Sequence, residues 1–213
     1  MNDVLNQIIE KNHITEEFIN AKKMDKENRI FMSDNYVIKI YYPKKFQYYY
    51  NELEVYHNLQ SKDYLPKLYS YGEESTYKYI VISRLDGKSL FDSWDEYTVD
   101  ERSEFVKQIS NILKNINEIR VEPINFKSIL DTKFLNVLSN LNFSGNFISL
   151  LQDMYTNNSQ FIKTSELGHL IHVDVHFYIF FVNKNKIYAY DFENTMMAPL
   201  DYQLLRWYRM WRY

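Results

Sequence analysis

The sequence predicts an α+β fold of two lobes: a small antiparallel sheet with one helix at the amino-terminal end, followed by a mainly helical lobe. Three observations carry this expectation. Strand-like runs dominate the first ninety residues, helical spacing dominates up to residue 166, and a turn-forming Leu85-Asp86-Gly87 separates the two. The boundary divides the chain into residues 1–85 and residues 86–213, the second of which also carries a hairpin. A chain of 213 residues is long enough for one substantial core or two small ones.

The clearest strand is Tyr36 to Tyr42, YVIKIYY, in which Val37, Lys39 and Tyr41 share one face and Ile38 and Ile40 the other. Before it, Phe18 to Lys23 and Arg29 to Met32 form two shorter strands, and Asp34-Asn35 turns the second into Tyr36. After Pro43 comes a helix, Phe46 to Leu59, with Tyr49, Leu53 and Tyr56 on one stripe. Lys67 to Tyr71 and Tyr79 to Ser83 complete the sheet around a polar turn containing Gly72 and Glu73-Glu74.

In the second lobe the strongest helix runs from Val99 to Ile119, because Phe105, Ile109, Ile112, Ile116 and Ile119 recur at spacings of four and three. Thr98 and Glu101 have the spacing of a capping box at its start. Two further helices lie near Ile129 to Leu141 and Phe147 to Tyr155. Strand patterning returns at Leu170 to Val175, Phe180 to Asn183 and Ile187 to Asp191, with Asn183 to Lys186 making a turn.

Composition excludes several functional classes. There is no cysteine, hence no disulfide and no thiolate metal site, and the four glycines cannot form G-x-G-x-x-G or G-x-x-x-x-G-K-[ST]. With 25 basic against 28 acidic residues the net charge is −3, which disfavours nucleic acid as a partner. Charged residues interrupt every apolar run before the ~18 residues that a transmembrane span requires. The start, MNDVLNQIIEKNH, lacks an export signal, so a cytoplasmic location is expected.

The most informative stretch is His172-Val-Asp174-Val-His176, followed by Asp191-Phe192-Glu193 at a strand end. Phosphoryl transfer needs one group to orient and deprotonate an attacking hydroxyl and another to hold a divalent cation against phosphates. Asp174 and Asp191 suit those tasks. Read alone, the histidines serve equally well as satisfied polar groups and the aspartates as strand-end caps; a histidine metal site is weaker, because no H-E-x-x-H accompanies them. Lys39, in mid-strand, needs either an acidic partner, Glu52 or Glu54, or a route to water along its own stem.

Taken in order, strand lysine, helix glutamate, apolar strand and turn, long helix, H-x-D and D-F-E, the sequence resembles the aminoglycoside phosphotransferase and choline kinase group, relatives of the protein kinases. The resemblance covers most of the chain and implies a protein-kinase-like fold, with residues 1–85 as the nucleotide-binding lobe and the hairpin of residues 86–213 as the catalytic one. It also implies that Lys39 contacts phosphates with Glu52 as its partner, that the backbone of Ser83 and Leu85 in ISRLDGKSL holds the base, and that Asp174 is the catalytic base. Asp191 is then the magnesium ligand, with His172, His176 and Glu193 in support. The implied reaction moves the γ-phosphoryl of ATP or GTP, with Mg²⁺, to a hydroxyl of a small molecule: an aminoglycoside first, then choline, ethanolamine and other amino alcohols or sugars. Acidic residues near the cleft would favour such cationic acceptors.

Three departures qualify the resemblance. Ile179 stands where the family's H-x-D-x-x-x-x-N motif has a metal-binding asparagine, inside the apolar run Phe177 to Phe181. The alternative function is therefore a catalytically impaired, kinase-like nucleotide-binding or regulatory protein, and Ile179→Asn is expected to raise Mg²⁺-dependent nucleotide binding or turnover if the loop otherwise keeps the kinase shape. No glycine occurs in residues 18–40 to form a flexible phosphate-covering loop. About twenty residues follow Asp191-Phe192-Glu193, and the acceptor pocket is expected to be small or open. In those residues Arg206, Arg209 and Arg212 form a polar stripe on an aromatic helix expected to pack on its own lobe.

Overall fold

The structure, a computed structural model, describes residues 2–20, 28–140, 145–162 and 165–210. It begins with helix α1 (Asn2–Lys11), strands β1 (Ile19–Asn20), β2 (Asn28–Met32) and β3 (Tyr36–Tyr41), helix α2 (Phe46–Leu59), and strands β4 (Leu68–Glu74) and β5 (Tyr77–Ser83). The five strands form one antiparallel sheet in the order β1-β2-β3-β5-β4. Residues 21–23, the end of the first expected strand, lie outside the described residues.

β3 alternates as its sequence requires, but both faces are covered. Tyr41 joins the core beneath α2, with Tyr49, Leu53 and Tyr56, while Val37 packs against it. Ile38 and Ile40 join Phe31, Tyr79 and Val81 under Val4, Leu5 and Ile8 of α1. The amino-terminal lobe thus has two helices where one was expected. The reason is physical: Ile38 and Ile40 present an apolar face that α2 cannot reach, and burying it requires a second element. Gly72, Glu73 and Glu74 belong to β4 and not to the turn, which falls at Ser75, a residue with φ 57°.

Beyond Ser83 the chain forms β6 (Lys88–Ser89), α3 (Leu90–Ser93), α4 (Val99–Asn117), β7 (Val121–Ile124), α5 (Phe126–Asn140) and α6 (Gly145–Ser159). It ends with β8 (Glu166–His172), β9 (Phe180–Asn183), β10 (Lys186–Ala189), β11 (Thr195–Ala198) and α7 (Leu200–Met210). Two small sheets result, β10-β9-β6 and β11-β8-β7. Gly87 makes the first possible: its φ is +132°, and a Cβ there would stand 2.4 Å from the Val182 carbonyl oxygen. β8 stops at His172, short of the expected Val175, because its partner β11 pairs only from His169 to His172. The short strands β6, β7 and β11 carry too few residues to show a period.

α4 has the predicted capping box, with Glu101 N–H on Thr98 Oγ1 (3.3 Å) and Thr98 N–H on Glu101 Oε2 (2.8 Å). Its stripe of Phe105, Ile109, Ile112 and Ile116 enters the same core as α2, β5 and Phe192. The sheet with α2 and the helical part of the chain therefore share one apolar core. No helix among the described residues is long and apolar enough to cross a membrane.

The second covering helix is directly testable. Ile8 is fully buried against the sheet, so Ile8→Ala is expected to cost about 2–4 kcal/mol in urea unfolding, the usual range for a buried isoleucine. A loss under ~1 kcal/mol would show that α1 is not part of this core.

Candidate active site

Lys39 sits in mid-sheet opposite Ile30 and Ile80, 5% exposed. An ammonium there is tolerable only with counter-charges. Its Nζ lies 2.8 and 3.0 Å from the two carboxylate oxygens of Glu52 on α2 and 3.0 Å from Oδ1 of Asp191. Burial alone would depress its pKa, but Asp191 and then Glu52 outweigh burial and hold it well above the ordinary lysine value. Of the two glutamates the sequence offered, the fold selects Glu52, which is fully buried; Glu54 faces Arg120 at 3.7 Å instead.

Glu52 also accepts the hydroxyl of Tyr41, two residues along the same face of β3 as Lys39. This third member was not anticipated, although its place on the lysine face was. A second unanticipated residue is Asn51, whose side-chain amide donates to the carbonyls of Glu193 (2.9 Å) and Thr195 (3.0 Å). It ties α2 to the turn that follows Asp191.

Asp191 follows β10 with left-handed backbone, φ 66° and ψ 58°, a conformation that aspartate tolerates better than most side chains. Burial pushes its carboxyl pKa up, Lys39 pulls it down, and Lys39 prevails, so the pKa lies below the usual carboxylate range. Its side chain remains 37% exposed. Glu193, two residues on, goes the other way: burial and then the Asp191 charge push it up to about 7.

His172 joins the two acidic segments. Its Nε2–H donates to the Asp191 carbonyl at 2.9 Å, and the Asp174 N–H donates to its Nδ1 at 3.2 Å. A backbone N–H can only donate, so Nδ1 must be the unprotonated nitrogen and the ring neutral. Burial, opposed by Asp191, lowers the His172 pKa in agreement. Asp174 itself is accessible, its side chain 45% exposed, with His176 Nε2 at 3.8 Å from its Oδ2.

The chain's own carboxylates fit a divalent cation. Oxygens of Glu52, Asp191 and Glu193 lie within 4.8 Å of one another. Lys39 holds both oxygens of Glu52, one of which also accepts from Tyr41, and touches only Oδ1 of Asp191; Asp191 and Glu193 carry the hard carboxylate oxygens that an ion such as Mg²⁺ prefers. Position 179 offers nothing: Ile179 is 2% exposed and packed in the main core. An asparagine placed there would meet apolar side chains, so the shape on which the gain from Ile179→Asn depends is one in which the side chain at 179 packs into the core.

At the end of β5 the Ser83 N–H is committed to the Lys67 carbonyl (2.8 Å), and the Ser83 hydroxyl accepts the Lys67 N–H (2.9 Å). The Ser83 carbonyl is what remains of its backbone for a base to donate to. Leu85 follows, half-buried, after Arg84, whose N–H donates to Asn35. The structure therefore brings Lys39, Glu52, His172, Asp191 and Glu193 into one connected set, with Asp174 joined through His172 and His176 beside it. Ser83 and Leu85 stand on the strand end that leads away from the sheet.

No protein-family model matches the chain, and no curated protein matches it in sequence. Solved structures match it clearly. The aminoglycoside phosphotransferase APH(2")-IIa, in its ternary complex with streptomycin and ATP, is similar with a TM-score of 0.73 at 15% identity, over 96% of this chain and 75% of its own. The fold is that of the aminoglycoside phosphotransferases. ADP-bound APH(2'')-Ib gives a TM-score of 0.69 at 14% identity over 95% of this chain and 74% of its own. A choline/ethanolamine kinase family protein from Mesorhizobium loti gives 0.59 at 12% identity, over 91% and 66% respectively. The α+β, kinase-like fold implied by the sequence resemblance is thus present, with two helices in the amino-terminal lobe where the sequence led us to expect one.

Burial of a neutral His172 has a consequence for pH. Unfolded histidine titrates near 6.5, and a depressed native pKa means that the unfolded chain binds the extra proton first. The His172 contribution to stability is fully present above about pH 6.5 and is lost as pH falls below it toward the native pKa. In nitrogen-detected NMR at pH 6.0, the His172 ring is expected to keep the neutral Nε2–H pattern; a midpoint at or above 6.5 would contradict the assignment.

Proposed function

We propose that this chain is a phosphotransferase that moves the γ-phosphoryl group of ATP or GTP to a hydroxyl of a small molecule. The observation that carries the proposal is the triad around Lys39, in which one ammonium faces carboxylates from α2 and from the turn after β10. Such an ammonium is fixed in place by Glu52 and can exchange its contact with Asp191 for phosphate oxygens.

In this reading Lys39 holds the phosphates, and the Ser83 carbonyl and Leu85 receive the base. Asp174, accessible and ionisable beside the cleft, accepts the proton of the acceptor hydroxyl as its oxygen attacks the γ-phosphorus and the bond to the nucleoside diphosphate breaks. His172 positions Asp174 through its N–H and Asp191 through its carbonyl, and as a neutral ring it does not compete for the transferred proton. A Mg²⁺ ion, held by Asp191 and Glu193, would supply positive charge to the phosphates.

A second reading is favoured by one specific residue. With Ile179 buried in the core, the oxygen that the H-x-D-x-x-x-x-N motif would place in the site is missing, and a protein that binds nucleotide without transferring phosphate follows if Glu193 does not replace it. Release of ADP or GDP against a panel of hydroxyl-bearing acceptors separates the two. The transfer reading expects acceptor-dependent release that falls by about 10²–10⁴ in Asp174→Ala, the usual worth of a general base, with nucleotide affinity nearly unchanged. Nucleotide binding without release for any acceptor would favour the second reading, and undiminished release in Asp174→Ala would reject Asp174 as the base.

A further inference from the structure

Two cations lie close to the segment that carries Asp174, and neither has a counter-charge among the described residues. Arg206 on α7 donates its Nε–H to the carbonyl of Val173, the residue between His172 and Asp174, at 2.8 Å. Lys133 on α5 points its Nζ at the Met196 sulfur, 3.0 Å away. Met196 pairs with Ile171 on β8, two residues before Val173. Two helices thus bring an ammonium and a guanidinium to the same strand end, the one from which the Asp174 segment departs.

Among the described residues no carboxylate lies within ion-pair distance of Lys133 or Arg206. The nearest acid in sequence on α5, Asp131, is engaged by Lys127 at 2.8 Å and by the Tyr155 hydroxyl at 2.7 Å. A thioether is a weak acceptor, so Met196 does not neutralise Lys133. Partial burial and then the Arg206 charge lower the Lys133 pKa, as expected of a cation facing another cation. The contrast with Lys39 is instructive. There the fold surrounds a buried cation with two carboxylates, whereas here it assembles two cations and leaves the opposing charge to come from outside.

We propose that Lys133 and Arg206 form an oxyanion-binding subsite beside Asp174, and that the acceptor is a hydroxylated compound bearing a carboxylate or phosphate group. The inference rests on the phosphotransfer reading for the word acceptor, but the subsite stands on its own geometry. A compound with an anionic end and a hydroxyl end satisfies both halves of the site: the anion meets Lys133 and the free guanidinium N–H groups, and the hydroxyl meets Asp174. A polycationic acceptor, the class the sequence resemblance put first, would bring like charge against Lys133 and Arg206.

Isothermal titration without nucleotide tests this with four hexose derivatives of different charge: gluconate, glucose 6-phosphate, glucose and glucosamine. The two anions are expected to bind at least tenfold more tightly than glucose or glucosamine, and their ratio tells carboxylate from phosphate. Lys133 is an exposed helix residue, so Lys133→Ala is expected to fold normally by thermal melting and to weaken the anions at least tenfold, while Lys133→Arg retains them. Equal binding of glucosamine, absence of binding by both anions, or anion binding indifferent to Lys133→Ala would each overturn the subsite. Anion binding that depends on Lys133 in a protein that releases no ADP would uphold the subsite and contradict only the transfer reaction.

Discussion

The ammonium of Lys39 cannot remain charged inside the sheet unless carboxylates reach it from elsewhere in the chain. Two do, Glu52 thirteen residues on and Asp191 much farther along, and their convergence fixes the relation of α2, the central strand and the turn after β10. Breaking such a buried pair by removing one partner typically costs about 3–5 kcal/mol, because the other charge is stranded. Much of the site follows from that constraint. Asp191 is held where Lys39 needs it, Asn51 secures the following turn to α2, and His172 links the Asp191 carbonyl to the Asp174 segment.

How much of this the sequence disclosed depended on the range of the signal. α4 was legible almost to its ends, because five apolar residues at helical spacing and a capping box are local facts. The alternation of YVIKIYY revealed which residues share the Lys39 face, and therefore that Tyr41 lay beside the lysine, but not that its hydroxyl would meet Glu52. Choosing between Glu52 and Glu54 needed the rotation of α2 about its axis, which only packing supplies: Glu52 turns inward to Lys39, and Glu54 outward to Arg120. α1 went unread because its need arises from the far side of the sheet, where Ile38 and Ile40 require a cover.

The apolar run after Asp174 has a packing explanation. Phe177 stacks on Trp94 at 4.6 Å and Tyr178 on Phe91 at 4.0 Å, while Ile179 and Phe180 enter the main core. The segment is anchored by α3 and the turn that follows it, so its stability comes from aromatic and aliphatic contact and not from a metal-binding amide. Glu193, on the turn after Asp191, is the further carboxylate beside that aspartate, and burial followed by the Asp191 charge raises its pKa to about 7.

The central claim is that Lys39 and Asp191 meet across a nucleotide's phosphates. A crystal structure with a non-hydrolysable ATP analogue and Mg²⁺ tests it most directly. The account predicts phosphate oxygens within hydrogen-bonding distance of the Lys39 ammonium, the ion on Asp191, and the base beside Ser83 and Leu85. A nucleotide bound away from these residues, with Lys39 still closed between Glu52 and Asp191, would contradict it.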